Sequence, residues 1–451
     1  MNSSLKKRLS IVPEDELKKL LGMFIDHSMP EFSAGMTNHF RIAKEKGDAF
    51  TNHPKALGIS FGGTNTKIIL ASMRNGCLIL HHATTEVNPP EKIHFYDFLD
   101  RILLGDPVFK EYLENTPHPV VGISVPTRVL GKIPFHETKV PTVDGLLARN
   151  ESQMTEEYDL SKNFANYLRK NNLPPAVLFY QADGIVAHHG AVSLCDMGVD
   201  DRSTLFVCGT GMATGDEESY IQVGIVRMLD TGDEELYPAN ETENYQYHYA
   251  TAGKGIFSLM RRAIQIQAAE TGSALGNYNL SPFFGNNQAT KTVGLLWASF
   301  LGGEAAGDTK NIKDLVSPDA FRELENLSSW IMNRCVHSMA NTTVSTIAKM
   351  GRAPSGNGHI IFFEGSIAND KYAYPLLREE IKRLVTLEEI YKPFNLEQPI
   401  LPNMEVKYRP VNPADEKVNS EIGKIDLTVI GATTMAMAED LLDSHKIYDI
   451  I

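Results

Sequence analysis

Leu57-Gly58-Ile59-Ser60-Phe61-Gly62-Gly63-Thr64-Asn65-Thr66-Lys67 is an apolar run that enters a Gly-Gly-Thr turn, and Ile68, Ile69, Leu70 and Ala71 carry the apolar pattern out of it. The stretch reads as a β-hairpin with a glycine tip. Glycine bends through positive φ and lets the backbone approach a ligand closely. Successive N–H groups at such a tip can cradle a phosphate, with a nearby hydroxyl and cation adding to the attraction. Taken alone, the motif fits an ordinary hairpin equally well. A second unit, Thr204-Leu205-Phe206-Val207-Cys208-Gly209-Thr210-Gly211, repeats the strand and glycine turn. This coarse duplication suggests two similar α/β lobes with a cleft between them.

The 451 residues suit two large lobes, and 42% apolar with 22% charged residues is a globular composition. The net charge of −13 argues against a bulk nucleic-acid binder. No apolar stretch approaches the roughly 18–20 residues of a membrane span. No signal-peptide core of about 7–15 apolar residues opens the chain. Cys77, Cys195, Cys208 and Cys335 lack metal-ligand spacing. Free thiols in a reducing cytoplasm, and no metal-ligating set, are therefore expected. His188-His189 does not read as a metal pair, because neighbouring helical residues point to different faces.

Helical periodicity is expected over 14–36, 96–115, 156–171, 252–269, 292–302, 318–326 and 327–350. Short strands are expected at 120–125, 176–180 and 359–363. Near the C-terminus a strand over 425–430 is expected before a terminal helix.

Five segments in order resemble the sugar-kinase and actin-like superfamily, and within it the hexokinase family. Gly62-Gly63-Thr64-Asn65-Thr66-Lys67 resembles the first phosphate loop. Thr138-Lys139 resembles the sugar-binding Thr-Lys, and Gln181-Ala182-Asp183-Gly184 falls where the family has Asn-Asp-Thr. Gly209-Thr210-Gly211 resembles the second phosphate loop. Glu364-Gly365-Ser366 with Gly431-Ala432 resembles the adenosine segment and the closing helix. The resemblance implies an α/β, two-lobed actin-like (ribonuclease H-like) fold, with mixed five-stranded-type sheets flanked by helices around an interlobe cleft. It places 56–182 plus 427–446 in a small lobe and 1–55 plus 183–426 in a large one.

The implied activity is ATP-dependent phosphorylation of a hexose or modified hexose. ATP and Mg²⁺ are the implied cofactors, and sugar and ATP the partners, in a monomer or homodimer with neither nucleic acid nor membrane. Asp183 is the implied general base, against a plain helix-capping aspartate. Gly62, Gly63, Thr64, Asn65, Lys67, Gly209, Thr210, Gly211, Gly365, Ser366 and Gly431 would hold the nucleotide. For Gly431 tight helix packing is the other reading. Ser124, Thr138, Lys139, Asn240 and Glu243 would contact the sugar. Against this stand a core serine at 124, an exposed loop lysine at 139 and solvated loop residues at 240 and 243.

The chain departs from the family at instructive places. Ser60 stands where the first loop carries an aspartate that helps place the metal. Ala182 replaces the asparagine beside the base, and Glu137 the tryptophan before Thr-Lys. No carboxylate stands near Ala250, where the family has a sugar-binding glutamate. Two functions of different classes therefore fit: an active hexose kinase, or a catalytically weak sugar- or nucleotide-binding regulator that keeps closure as a switch. An actin-like filament or ATPase protein leaves Thr138-Lys139 unexplained.

Overall fold

The computed structural model describes residues 3–9, 12–25, 51–62, 65–88, 93–125, 128–130, 133–135, 143–144, 160–195, 202–209, 212–215, 220–221, 253–284, 289–303, 307–350 and 358–441. In chain order, the elements that matter begin with helix α1 (Pro13–Ile25) and strands β1 (His53–Phe61), β2 (Asn65–Arg74) and β3 (Cys77–Val87). Helix α2 (Pro107–Asn115), strand β4 (Val120–Val125), helix α3 (Leu160–Lys170), strand β5 (Val177–Ala182) and helix α4 (Asp183–Leu194) follow. Next come β6 (Arg202–Cys208), β7 (Met212–Gly215) and β8 (Tyr220–Ile221). The remainder is α5 (Gly253–Ala269), α6 (Ala289–Phe300), α7 (Pro318–Met350), β9 (His359–Glu364), α8 (Ala373–Val385), β10 (Asn412–Pro413) and α9 (Leu427–Leu441).

The chain forms two compact units: Met1–Pro30, Phe206–Thr214 and Ile221–Met404, and Glu31–Leu205, Gly215–Tyr220 and Glu405–Ile451. Residues 183–205 and 405–426 thus share a unit with 56–182, whereas the sequence divides the chain at 182/183.

In the unit that holds the first glycine turn, six strands form one sheet in the order β10-β3-β2-β1-β4-β5. β1 pairs antiparallel with β2, and β2 with β3. β4 is parallel to both β1 and β5. This is a mixed sheet whose five longer strands run 3-2-1-4-5, with the short β10 at the edge beside β3. The β2–β3 turn is set by Asn75 (φ 50°) and Gly76 (φ 72°), two left-handed residues that match the twist of a tight hairpin. Alternation gives each strand two faces. Leu57, Ile59 and Phe61 pack with Val121, Ile123 and Val125 and with Phe98, Phe109 and Phe164 on one face. The other face carries Gly58 and Gly122, and helix α9 lies on it. A Cβ at Gly58 would sit 2.0 Å from Thr433 Oγ1, and one at Gly122 would sit 1.8 Å from the Ala432 carbonyl oxygen. The six-stranded mixed sheet and its flanking helices bear out the α/β class.

The terminal strand expected over 425–430 is not formed: Leu427 already begins α9. The spaced apolar residues Ile425, Leu427, Val429 and Ile430 suit either period, and Asp426 decides between them. Its Oδ1 accepts the N–H of Val429 at 3.0 Å and caps a helix.

The other unit packs α1 and α5 to α8 around a large apolar core that includes Leu17, Phe24, Trp297, Leu324, Met339 and Phe206. α1 opens with Glu14, Asp15 and Glu16, which suit the positive end of a helix. The two helices expected over 318–350 are one, α7, because Glu325-Asn326-Leu327 contains neither Gly nor Pro to break it. A four-stranded sheet runs in the order β8-β7-β6-β9.

Candidate active site

The first glycine turn is braced from below. Gly62 N–H donates to the Asn65 carbonyl at 3.0 Å, which closes the turn between β1 and β2. Thr66 Oγ1 donates to Asn88 Oδ1 at 2.8 Å, and Asn88 Nδ2 donates to the Gly62 carbonyl at 2.6 Å. The buried Asn88 therefore ties the turn to the end of β3, a role that its loop-like sequence setting did not signal. Gly63 and Thr64 lie outside the described residues, as do Thr138, Lys139, Thr210, Gly211, Asn240 and Glu243.

A row of polar side chains crosses the sheet near this turn. Lys67 on β2 faces Ser60 on β1, Ser60 faces Ser124 on β4, and Ser124 faces Gln181 on β5. Residues paired across a ladder share a face. Ser60 and Ser124 lie two residues beyond Gly58 and Gly122, so the row lies on the face that carries α9. Ser60, Ser124 and Gln181 are buried. Ser124 Oγ has no hydrogen-bond partner among the described residues. A buried hydroxyl left unpaired costs about 1–3 kcal/mol, so an orphan here suits a bound polar ligand. Gln181 is partly spent locally, its Oε1 accepting the Ala182 N–H at 2.8 Å.

Asp183 follows directly at the C-terminal end of β5, where open α/β sheets bind their ligands. It is half-buried and begins α4. Loss of water around it is the main cause that lifts its carboxyl from an ordinary 3.8 to about 6. The Gly184 N–H, donating to Oδ1 at 2.7 Å, opposes that rise, and the negative charge of Asp426 adds to it. Asp426 Oδ2 in turn accepts from Lys67 Nζ. Sequence reading missed Asp426 because it fell inside the expected strand.

Further along α4, His188 Nε2 lies 2.8 Å from Ser203 Oγ, and His189 Nδ1 lies 3.2 Å from Thr434 Oγ1 on α9. Both histidines serve internal packing. Gly431 does too: a Cβ there would sit 1.7 Å from the Val186 carbonyl oxygen, so it permits close contact between α9 and α4.

The second glycine turn lies in the other unit. The Gly209 carbonyl accepts the N–H of Gly253 at 2.8 Å, at the start of α5. The Cys208 carbonyl accepts Ile367 N–H at 3.1 Å and Ala368 N–H at 3.3 Å. Gly365 has φ 94°, and a Cβ on it would lie 2.4 Å from the Cys208 carbonyl oxygen and 3.1 Å from Gly209 N. The structure thus brings Gly209 together with Gly365-Ser366. Among the described residues, a Cβ at Gly209 itself would meet nothing within 4 Å. Among the described residues, no group of three or more His, Cys, Asp or Glu side chains is arranged to hold a metal ion. No described helix is long and apolar enough to cross a membrane.

No protein-family model matches the chain. No curated protein matches it by sequence. Solved structures do match. A hexokinase from Schistosoma mansoni, complexed with glucose, is similar with a TM-score of 0.59 at 12% identity, over 96% of this chain and 97% of that one. A second hexokinase structure is similar with a TM-score of 0.61 at 14% identity, over 97% of this chain and 100% of that one. These likenesses show the fold: over nearly its whole length the chain is folded as these two hexokinase structures are.

Proposed function

We propose that this chain transfers the terminal phosphoryl group of ATP to a hydroxyl of a hexose or modified hexose, with Asp183 as general base. The observation that carries the reading is Asp183 itself. It is a carboxylate lifted to about 6 at a strand's C-terminal end, next to a row containing an orphaned buried hydroxyl. A base of that strength is ionised at neutral pH yet still has appreciable proton affinity. The sugar O–H would give its proton to Asp183, and the freed oxygen would form the new P–O bond. The bond from the γ-phosphorus to the bridging oxygen would break and release ADP.

The backbone N–H groups of each glycine turn would take a share of the phosphates. Lys67 would supply a cation beside the first. Mg²⁺, when bound, would spread the phosphate charge. The described side chains form no cage for it, which fits an ion that arrives on the nucleotide, held by phosphate oxygens and water. Ser124 Oγ would meet a sugar hydroxyl.

The test is isotope-traced phosphate transfer from ATP–Mg²⁺ to a panel of hexoses and amino-hexoses, alongside Asp183→Asn. Transfer by the parent that falls by about 10²–10⁴-fold in the variant is expected. No transfer to any acceptor would overturn the reading. Ser60 and Ala182 favour a second one, a regulatory binder, and sugar or nucleotide binding by calorimetry without transfer would establish it.

A further inference from the structure

The resemblance implies a carboxylate at the position of Ser60, where this chain has a hydroxyl. Ser60 faces Lys67 directly across the β1–β2 ladder. An aspartate at 60 would stand beside that ammonium. Here the neighbour is a hydroxyl, and Lys67 is instead held by Asp426 Oδ2, from the start of the helix that covers the same face. Asp426 cannot swing freely, because its Oδ1 is fixed by the Val429 N–H at 3.0 Å. Both oxygens therefore have set partners, one in the helix and one in Lys67 at the β2 end of the polar row. The arrangement is independent of the orphaned Ser124 hydroxyl in the same row, which separately marks the place as built for a polar ligand.

We propose that Asp426 is a positioning residue of this site, supplying from the N-terminus of α9 the carboxylate that position 60 lacks and holding the Lys67 ammonium against the polar row. The inference rests on the phosphoryl-transfer reading above. Its electrostatic consequence falls on Asp183, whose proton affinity the charge of Asp426 raises. Among the described charged groups on the elements packed against α9, those at this end are Lys67 on β2 and Asp183 on α4. His189 meets α9 two turns further on, at Thr434.

The experiment compares Asp426→Asn, Ser60→Asp and the double variant with the parent. Asparagine caps a helix about as well as aspartate, so α9 should remain in place. Expected are a roughly 10–100-fold loss of kcat/KM in Asp426→Asn and an acid limb displaced to lower pH, since removing a negative neighbour makes Asp183 a weaker base. Adding Ser60→Asp should recover most of that loss. A pH profile for Asp426→Asn that superimposes on the parent's, or a loss that Ser60→Asp leaves untouched, would overturn the inference. Titration of the Asp183 carboxyl by ¹³C NMR separates this failure from failure of the function itself. If the parent transfers no phosphate, a downward displacement of the Asp183 midpoint in Asp426→Asn still supports the placement of Asp426, and an unchanged midpoint refutes it.

Discussion

Asp183 is costly to the fold in proportion to its usefulness as a base. Its carboxyl rises from 3.8 to about 6 on folding, so the native state holds the proton more tightly than the unfolded chain. The stability linked to that proton is full below about pH 4 and declines as the pH climbs to about 6. The remaining cost at pH 7 is at most about 3 kcal/mol. Asp183→Asn should therefore be more stable than the parent at pH 7.5, by about 1–3 kcal/mol, and no more stable at pH 4. Urea unfolding at the two pH values checks this, and an equal gain at both would contradict it. Asp183 was readable in the sequence because an apolar strand led straight to it. Asp426 was not, because the spaced apolar residues around it suit a strand as well as a helix, and only the cap hydrogen bond to Val429 settles the matter. Asn88 gave no local signal either, since its importance comes from Thr66 and Gly62, more than twenty residues away.

At the scale of elements, α9 is seated by absent side chains. Gly58 and Gly122 admit it to the sheet, and Gly190 and Gly431 admit it to α4. Gly431→Ala would drive a methyl group into the Val186 carbonyl at 1.7 Å. A loss of about 2–4 kcal/mol in urea unfolding is expected. Gly209→Ala meets no atom of the described residues within 4 Å. Its stability should stay within about 0.5 kcal/mol of the parent. If the nucleotide phosphates approach that backbone, its affinity for ATP should nevertheless fall, which calorimetry would read. An unstable Gly209→Ala would mean that the residue is structural. The β1–β2 hairpin was legible from its alternation and glycine tip. The partners of these glycines were not, because a helix that starts 369 residues downstream (427 − 58) leaves no trace in the local pattern around Gly58.

Across the whole molecule, neither compact unit is a single run of chain. The unit with the six-stranded sheet draws on Glu31–Leu205, Gly215–Tyr220 and Glu405–Ile451. Residues 31–205 expressed alone would hold β1 to β5 but lack α9. They should show no cooperative thermal transition, and a peptide spanning 405–441 added in trans should restore one. Independent cooperative folding of 31–205 would show that α9 is an accessory. The fold class was readable because ordered motifs survive over nearly the full length. The extent of each unit was not, since residues 183–205 join the C-terminal segment within one unit through contacts such as Gly190 against Leu427.

The seating of α9 also puts the site on a clock. Phe61, at the edge of the first glycine turn, is made 380 residues before Leu441, the last residue of α9. At about 5–20 residues per second, a ribosome needs roughly 20–80 s to cover that distance. Through that interval the strands that carry Ser60 and Ser124 exist without the helix that covers them, and Lys67 waits for Asp426. Until synthesis is nearly over, the polar row therefore lacks both its cover and the carboxylate that holds Lys67.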